Sequence, residues 1–286
     1  MKQVGRLVLS SRPLSWVNTA FPFAAAYFFE GGEVGLELVL ISLFFLIPYN
    51  FLMYGINDVY DYESDLRNPR KGGIEGALLP PELHRTTLLW AFGLSLPPAV
   101  LILITQLDNF AASAVFLLTM FAVVAYSIKG LRFKELPFVD SVTSSIHFVG
   151  PMLFGLLAAG ANLDSLLITA TGAFFIWGAA SHAFGAVQDV RADREAGISS
   201  IATALGARAT VRLAFFLYLI AGALLLTMPD RFVFSALAAL PYLFVTLREW
   251  SITDENCERA NRGWRLFLLW NFLAGALITS LLIGPM

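Results

Sequence analysis

The chain has 286 residues, 57% of them hydrophobic and only 14% charged, with a formal net charge of −2 and a mean hydropathy of +0.70. A soluble domain of this size carries about 25% charged residues, so the composition excludes an ordinary globular enzyme and no nucleic-acid partner is expected. The one cysteine, Cys257, excludes a disulfide framework and a multi-cysteine zinc site.

In chain order, a short basic lead ending at Arg12 runs directly into apolar sequence, with no small-residue cleavage site. It is read as an uncleaved start. Nine apolar spans follow, at 14–29, 36–56, 87–105, 110–128, 138–159, 163–183, 211–228, 232–247 and 266–283. The fold class expected is all-α: a polytopic bundle of nine transmembrane helices forming a single membrane-embedded domain over residues 1–286. His84 and Cys257 fall in expected loops. Basic residues check the span count. Every lysine and arginine except Arg231 lies before span one, in the connections after spans two, four, six and eight, or, for Arg212, at the adjoining start of span seven. The opposite connections are short and carry Glu30, Glu33, Glu37, Asp108, Asp164 and Asp230. The excess of positive charge on the cytoplasmic side of membrane proteins then places the N-terminus in the cytoplasm and the C-terminus outside. The membrane is one that borders the cytosol, read as the plasma membrane.

Two acidic clusters interrupt this apolar chain. Span two ends in Asn57-Asp58-Val59-Tyr60-Asp61-Tyr62-Glu63-Ser64-Asp65, and Asp189-Val190-Arg191-Ala192-Asp193 follows span six. Both face the cytoplasm in the expected topology. Asp61 and Asp65 are four residues apart, as are Asp189 and Asp193, so each pair shares one face of a helix. If span two continues as a helix, Asn50, Asn57, Asp61 and Asp65 form one polar stripe, flanked by Asp58. A single Asp-x-x-x-Asp is common by chance in loops; two on one membrane side are not. Hard carboxylate and amide oxygens select Mg²⁺ or Ca²⁺, and Mg²⁺ favours one or two carboxylates plus phosphate oxygens. The expected cofactor is Mg²⁺, with Asn57, Asp61, Asp65, Asp189 and Asp193 as ligands and a diphosphate shared by both clusters. Arg67, Arg70, Lys71, Lys129, Arg132, Lys134 and Arg194 supply cations for its oxygens.

These motifs resemble the UbiA-type membrane prenyltransferases. Asn57, Asp58, Asp61 and Asp65 match the family's first motif, Asn-Asp-x-x-Asp-x-x-x-Asp, and Asn68-Pro69-Arg70 is similar to its continuation. Asp189-x-x-x-Asp193-x-x-x-Gly197, Thr203 to Gly206, and the stretch from Tyr126-Ser127 through Arg132-Phe133-Lys134 to Asp140 resemble later family segments. The resemblance covers most of the chain and implies the family's nine-helix fold. It also implies a reaction in which Mg²⁺ and basic groups stabilise a departing diphosphate while an apolar acceptor attacks the allylic cation. Asn57, Asp58, Asp61, Asp65, Asp189 and Asp193 are then catalytic. Many members carry an acid three positions before the second pair; here that position is Ala186, so the fuller metal site is expected at Asn57 to Asp65.

Candidates for the acceptor and cation pocket are Asn50, Tyr54, Tyr126 and His182, the last on nearly the same helix face as Asp189 and two turns deeper. Aromatic faces stabilise cations. Ala183-Phe184-Gly185-Ala186-Val187-Gln188-Asp189 and Asp193-Arg194-Glu195-Ala196-Gly197-Ile198 resemble the lycopene elongase branch of the family, which adds five-carbon units from dimethylallyl diphosphate to lycopene on the way to C50 carotenoids. That resemblance implies a prenyl diphosphate, lycopene and membrane lipid as partners. Other readings are an aromatic or quinone-precursor prenyltransferase of hydroxybenzoate or naphthoate type, a CDP-alcohol phosphotransferase, whose upstream Asp-Gly and Ala-Arg pairs neither cluster has, and an ion-coupled transporter, whose sites usually lie at the bilayer midplane.

Overall fold

The computed structural model describes residues 3–66 and 78–283, and every regular element among them is a helix. Among the described residues eight segments are long and apolar enough to cross a membrane. The segment expected at 14–29 is not among them. Arg12 adopts a left-handed conformation, a 3-10 turn follows at Pro13–Ser15, and the helix Val17–Phe29 has only 13 residues. At about 1.5 Å per residue it is roughly 20 Å long, less than the ~30 Å of hydrocarbon. Chain contacts divide the molecule into two units: residues 1–133 with 150–161, and residues 134–149 with 162–286.

In the first unit, α1 (Gln3–Ser10) and α2 (Val17–Phe29) precede α3 (Leu36–Leu46), α4 (Pro48–Tyr60), the single turn α5 (Tyr62–Asp65), α6 (Pro81–Thr105) and α7 (Phe110–Ser127). Its core is aromatic: Phe23, Phe45, Phe116 and Phe154 are all buried, with ring centroids 5.2 Å apart for Phe23 and Phe45 and 5.1 Å for Phe116 and Phe154. Much of the phenylalanine content is therefore packing. Gly155 lies where an added Cβ would stand 2.6 Å from the Phe23 carbonyl oxygen, so only glycine permits that approach. Proline has no N–H to continue a helix, and Pro48 separates α3 from α4. Asn50 fills the resulting gap: its Nδ2 donates to the Phe45 and Leu46 carbonyls at 2.8 and 3.1 Å and to Thr19 Oγ1 at 2.6 Å. α6 begins at Pro81, earlier than expected, which makes His84 helical rather than a loop residue; its Nε2 lies 2.9 Å from the Leu79 carbonyl.

The second unit contains the start of α8 (Val139–Ala158), then α9 (Ser165–Val187), the short α10 (Val190–Ala196) and α11 (Ile201–Leu205), α12 (Ala207–Leu225), α13 (Leu240–Arg248) and α14 (Ala260–Ile283). Two 3-10 segments, Asp230–Ala239 and Asp254–Arg259, precede the last two helices. α9 and α12 form the main helix pair. Their buried alanines, Ala180, Ala183, Ala214 and Ala221, allow the close backbone approach that drives packing of membrane helices. Asp164 caps α9 by accepting from the Leu167 N–H at 2.9 Å. Cys257 is fully buried, its Sγ 3.8 Å from the Gln188 carbonyl, and so belongs to the core of this unit rather than to an exposed loop.

Candidate functional site

The first acidic cluster lies where α4 ends. Asp61 breaks the helix formally, yet its N–H still donates to the Asn57 carbonyl at 2.9 Å and the Asp65 N–H donates to the Asp61 carbonyl at 2.8 Å. Helical spacing thus runs through the cluster, and Asn57, Asp61 and Asp65 keep one face. Asp61 and Asp65 are buried, 8% and 6% exposed. A pair of buried carboxylates repels unless cations are near. One is present: Arg132, from the connection after α7, places Nη2 3.4 Å from Asp61 Oδ1 and donates from Nη1 to the Tyr60 carbonyl at 3.3 Å. Ser127 donates to Asn57 Oδ1 at 3.0 Å and so orients that amide.

Asp58 faces other partners. It is 1% exposed, accepts from Ser10 Oγ at 3.0 Å and pairs with Arg12 at 3.1 Å. The Arg12 guanidinium also lies over the Tyr54 ring, 4.3 Å from its centroid. Burial opposes the Arg12 charge, but Asp58 and its neighbours outweigh that cost and hold its pKa above the usual arginine value. Asp58 and Tyr54, expected as catalytic and pocket residues, are thus engaged with the N-terminal segment. Asn50, expected on the same polar stripe, is fully buried with its amide spent on the α3–α4 break. The roles of Arg12 and Ser10 were missed because nothing local marks a basic residue beside a proline as the partner of a carboxylate 46 residues on. Arg67, Arg70 and Lys71 lie outside the described residues. Lys129 is exposed, and Tyr126 is half-buried on α7.

In the second unit, Asp189 occupies the N-cap position of α10 and Asp193 its first turn; both are half-buried. The Asp193 N–H donates to the Asp189 carbonyl at 2.8 Å, so this pair too has helical spacing. Gly197 closes α10 in a left-handed conformation, which a side chain would strain. The basic neighbours bind acids of the same unit: Arg191 pairs with Glu258, and Arg194 pairs with Asp254 and donates to the Thr203 carbonyl at 3.0 Å. Arg194, expected on a diphosphate, therefore braces the segment after α10. Lys134 is half-buried. Asp140 is fully buried and accepts from the Ile201 and Ser141 N–H groups, each at 2.7 Å, tying the start of α8 to the start of α11. His182 Nδ1 lies 3.0 Å from Ser141 Oγ.

Among the described residues no three His, Cys, Asp or Glu side chains converge as a complete metal cage. Mg²⁺ bound with substrate needs one or two carboxylates and takes its other oxygens from phosphate and water. Asp61 and Asp65, with the Asn57 amide on the same face, supply such a donor set. Asp189 and Asp193 supply a second pair of carboxylates.

Comparison with known proteins gives this arrangement a context. The model of the UbiA prenyltransferase family matches residues 19–273. A lycopene elongase/hydratase from Corynebacterium glutamicum is 51% identical over 99% of this chain and 98% of its own length. A C50 β-cyclic carotenoid biosynthesis protein from Dietzia sp. is 50% identical over 97% of this chain and 64% of its own. A UbiA homologue from Archaeoglobus fulgidus, solved with GPP and Mg²⁺, superposes with a TM-score of 0.69 at 19% identity, covering 95% of this chain and 99% of that one.

Proposed function

The chain belongs to the UbiA prenyltransferase family and is a prenyltransferase of carotenoid biosynthesis, and from that premise we propose that it transfers dimethylallyl groups from dimethylallyl diphosphate to lycopene. The observation that carries the acceptor is the 51% identity with a lycopene elongase/hydratase along almost the whole of both chains. The Archaeoglobus homologue has also been solved with DMAPP and Mg²⁺, which supports the donor and the metal. We propose that the whole chain acts as one domain in the plasma membrane. α2 serves as a short ninth crossing, the N-terminus is cytoplasmic, the C-terminus is outside, and the acidic clusters open to the cytoplasm. The distribution of basic residues supports this orientation.

In this reading Asn57, Asp61 and Asp65 hold Mg²⁺ on the cytoplasmic end of α4, and Asp189 and Asp193 are metal-ligating carboxylates of α10. Bound Mg²⁺ supplies the positive charge that neutralises the departing diphosphate. Arg132 sits beside Asp61 and takes a diphosphate oxygen, moving its charge from carboxylate to leaving group as the C–O bond breaks. Arg67, Arg70, Lys71, Lys129 and Lys134 are further cations for diphosphate oxygens. Arg12 holds Asp58 so that α4 ends in one register, which presents Asn57 and Asp61 on a fixed face.

The test is expression in a lycopene-producing host followed by mass analysis of the pigments. New C45 and C50 species are expected. Unchanged lycopene with the folded protein in the membrane would defeat the acceptor assignment and favour an aromatic acceptor.

A further inference from the structure

The N-terminal segment that grips Asp58 has a second face. α1 buries its last turn against the first unit: Ser10 and Ser11 are buried, Leu7 packs on the aromatic core, and Leu9 packs on Val59 and Leu79. Its other side is open. Val4 and Val8, four residues apart and so on one helix face, are 69% and 48% exposed, and Leu14 and Val17 just beyond the turn are exposed as well. We propose that this face of α1 docks on anionic phospholipid of the cytoplasmic leaflet, and that docking secures the Ser10 and Arg12 contacts to Asp58, so that headgroup charge tunes how well the adjoining Asn57 and Asp61 bind prenyl diphosphate. This rests on the prenyl-transfer reading and the membrane orientation above, and deepens them.

Lipid is the occupant that the segment fits. α1 has eight residues, about 12 Å of helix, too short to cross a bilayer. Left-handed Arg12 and the 3-10 turn Pro13–Ser15 redirect the chain before α2, so α1 does not extend that helix. Trp16 sits at the joint, where its indole N–H donates to the Ser11 carbonyl at 2.9 Å. Tryptophan concentrates at the membrane–water boundary. A short helix at that level with an exposed apolar face lies along the leaflet rather than through it.

Charge selects the headgroup. Lys2, Arg6 and Arg12 all precede the first acidic residue of the chain, Glu30, and the cytoplasmic leaflet is negative. Arg12 is committed to Asp58, so Arg6 is the cation of α1 that meets the headgroups. Its long stem stays on apolar surface while the guanidinium reaches outward.

The coupling runs through Asp58. Its buried carboxylate accepts from Ser10 Oγ at 3.0 Å and from Arg12 Nη2 at 3.1 Å. Asp58 shares the last turn of α4 with Asn57 and stands three residues before Asp61. A buried carboxylate that loses its cation is strongly destabilised. Release of α1 and Arg12 therefore loosens the end of the helix that carries Asn57 and Asp61, and lipid that holds α1 opposes that release.

The full-length protein is placed in nanodiscs of phosphatidylcholine alone, or of phosphatidylcholine and phosphatidylglycerol in equal parts. The wild type is compared with Arg6→Gln and with the double variant Val4→Ser/Val8→Ser. Docking is read without activity, from amide hydrogen exchange over residues 3–10. Coupling is read from the KM for dimethylallyl diphosphate. In the wild type, phosphatidylglycerol is expected to slow exchange and to lower KM, each about fivefold, the effect of one basic residue near an anionic surface. Arg6→Gln should lose both differences. The double variant should exchange fast in either lipid and show the higher KM in both. Should the double variant fail to reach the membrane, Val8→Ser alone is measured. Equal exchange of the wild type in the two lipids overturns the docking, as does an unchanged lipid dependence of exchange in Arg6→Gln. A KM that responds to lipid identically in all the proteins overturns the coupling to Asp58. Absence of prenyl transfer from the wild type overturns the prenyl-transfer reading and the coupling with it, while exchange still decides the docking.

Discussion

The two acidic clusters share a spacing and differ in what surrounds them. At the end of α4, Asp61 and Asp65 are buried, Arg132 points at Asp61, and Ser127 orients Asn57. At α10, Asp189 and Asp193 are half-buried, and the arginines beside them pair with Glu258 and Asp254. Arg132 reaches the first cluster from its own unit; beside the second, Arg191 and Arg194 bind Glu258 and Asp254. Identical i, i+4 motifs therefore need not be equal sites. Burial and the direction of nearby charge decide how much each contributes.

The largest effect that could break this contrast is expected at Asp61. Replacing it with alanine removes a carboxylate from the fuller cluster and frees Arg132, and prenyl transfer should fall by at least about 10²-fold, read as turnover of dimethylallyl diphosphate in membranes. Next is Arg12→Ala. It leaves Asp58 buried without its cation, which costs about 3–5 kcal/mol, so a lowered thermal midpoint in detergent and reduced membrane yield are expected. Arg132→Ala should lower activity about 10- to 100-fold, the usual cost of losing a group that orients a ligand, and most of that loss should appear as a raised KM for the diphosphate. Arg194→Gln sharpens the comparison from the weak side. Its pair with Asp254 is partly exposed, such pairs contribute about 0–1 kcal/mol, and turnover should stay within about threefold of wild type.

Much of this contrast was written locally in the chain. Spans read from apolar runs, and one-sided helical rows read from residues four apart, survive because both depend on near neighbours. Carboxylate spacing at Asp61 and Asp65 is of that kind. What escaped depends on distant parts meeting. Arg12 looked like a topology charge, yet it pairs with Asp58 across 46 residues of chain. Arg194 sits beside Asp193 in sequence, but its guanidinium reaches Asp254, 60 residues away. Asn50 matched the polar stripe, and only the break at Pro48 explains why its amide is consumed by backbone carbonyls. The apolar run at 14–29 read as one unbroken span, but hydropathy does not register the turn that Arg12 and Pro13 impose, which leaves a helix of 13 residues. His84 and Cys257 looked like loop residues because polar neighbours flank them, whereas helix packing claims both.

The account stands or falls on a Mg²⁺ titration of purified protein with dimethylallyl diphosphate and lycopene, run for the wild type, Asp61→Ala and Asp189→Ala. Wild-type product formation should saturate with Mg²⁺ and vanish in EDTA. Asp189→Ala should keep a residual rate that rises at high Mg²⁺, while Asp61→Ala stays near background at every concentration. Prenylated lycopene formed in EDTA, or full turnover by folded Asp61→Ala protein, would contradict it.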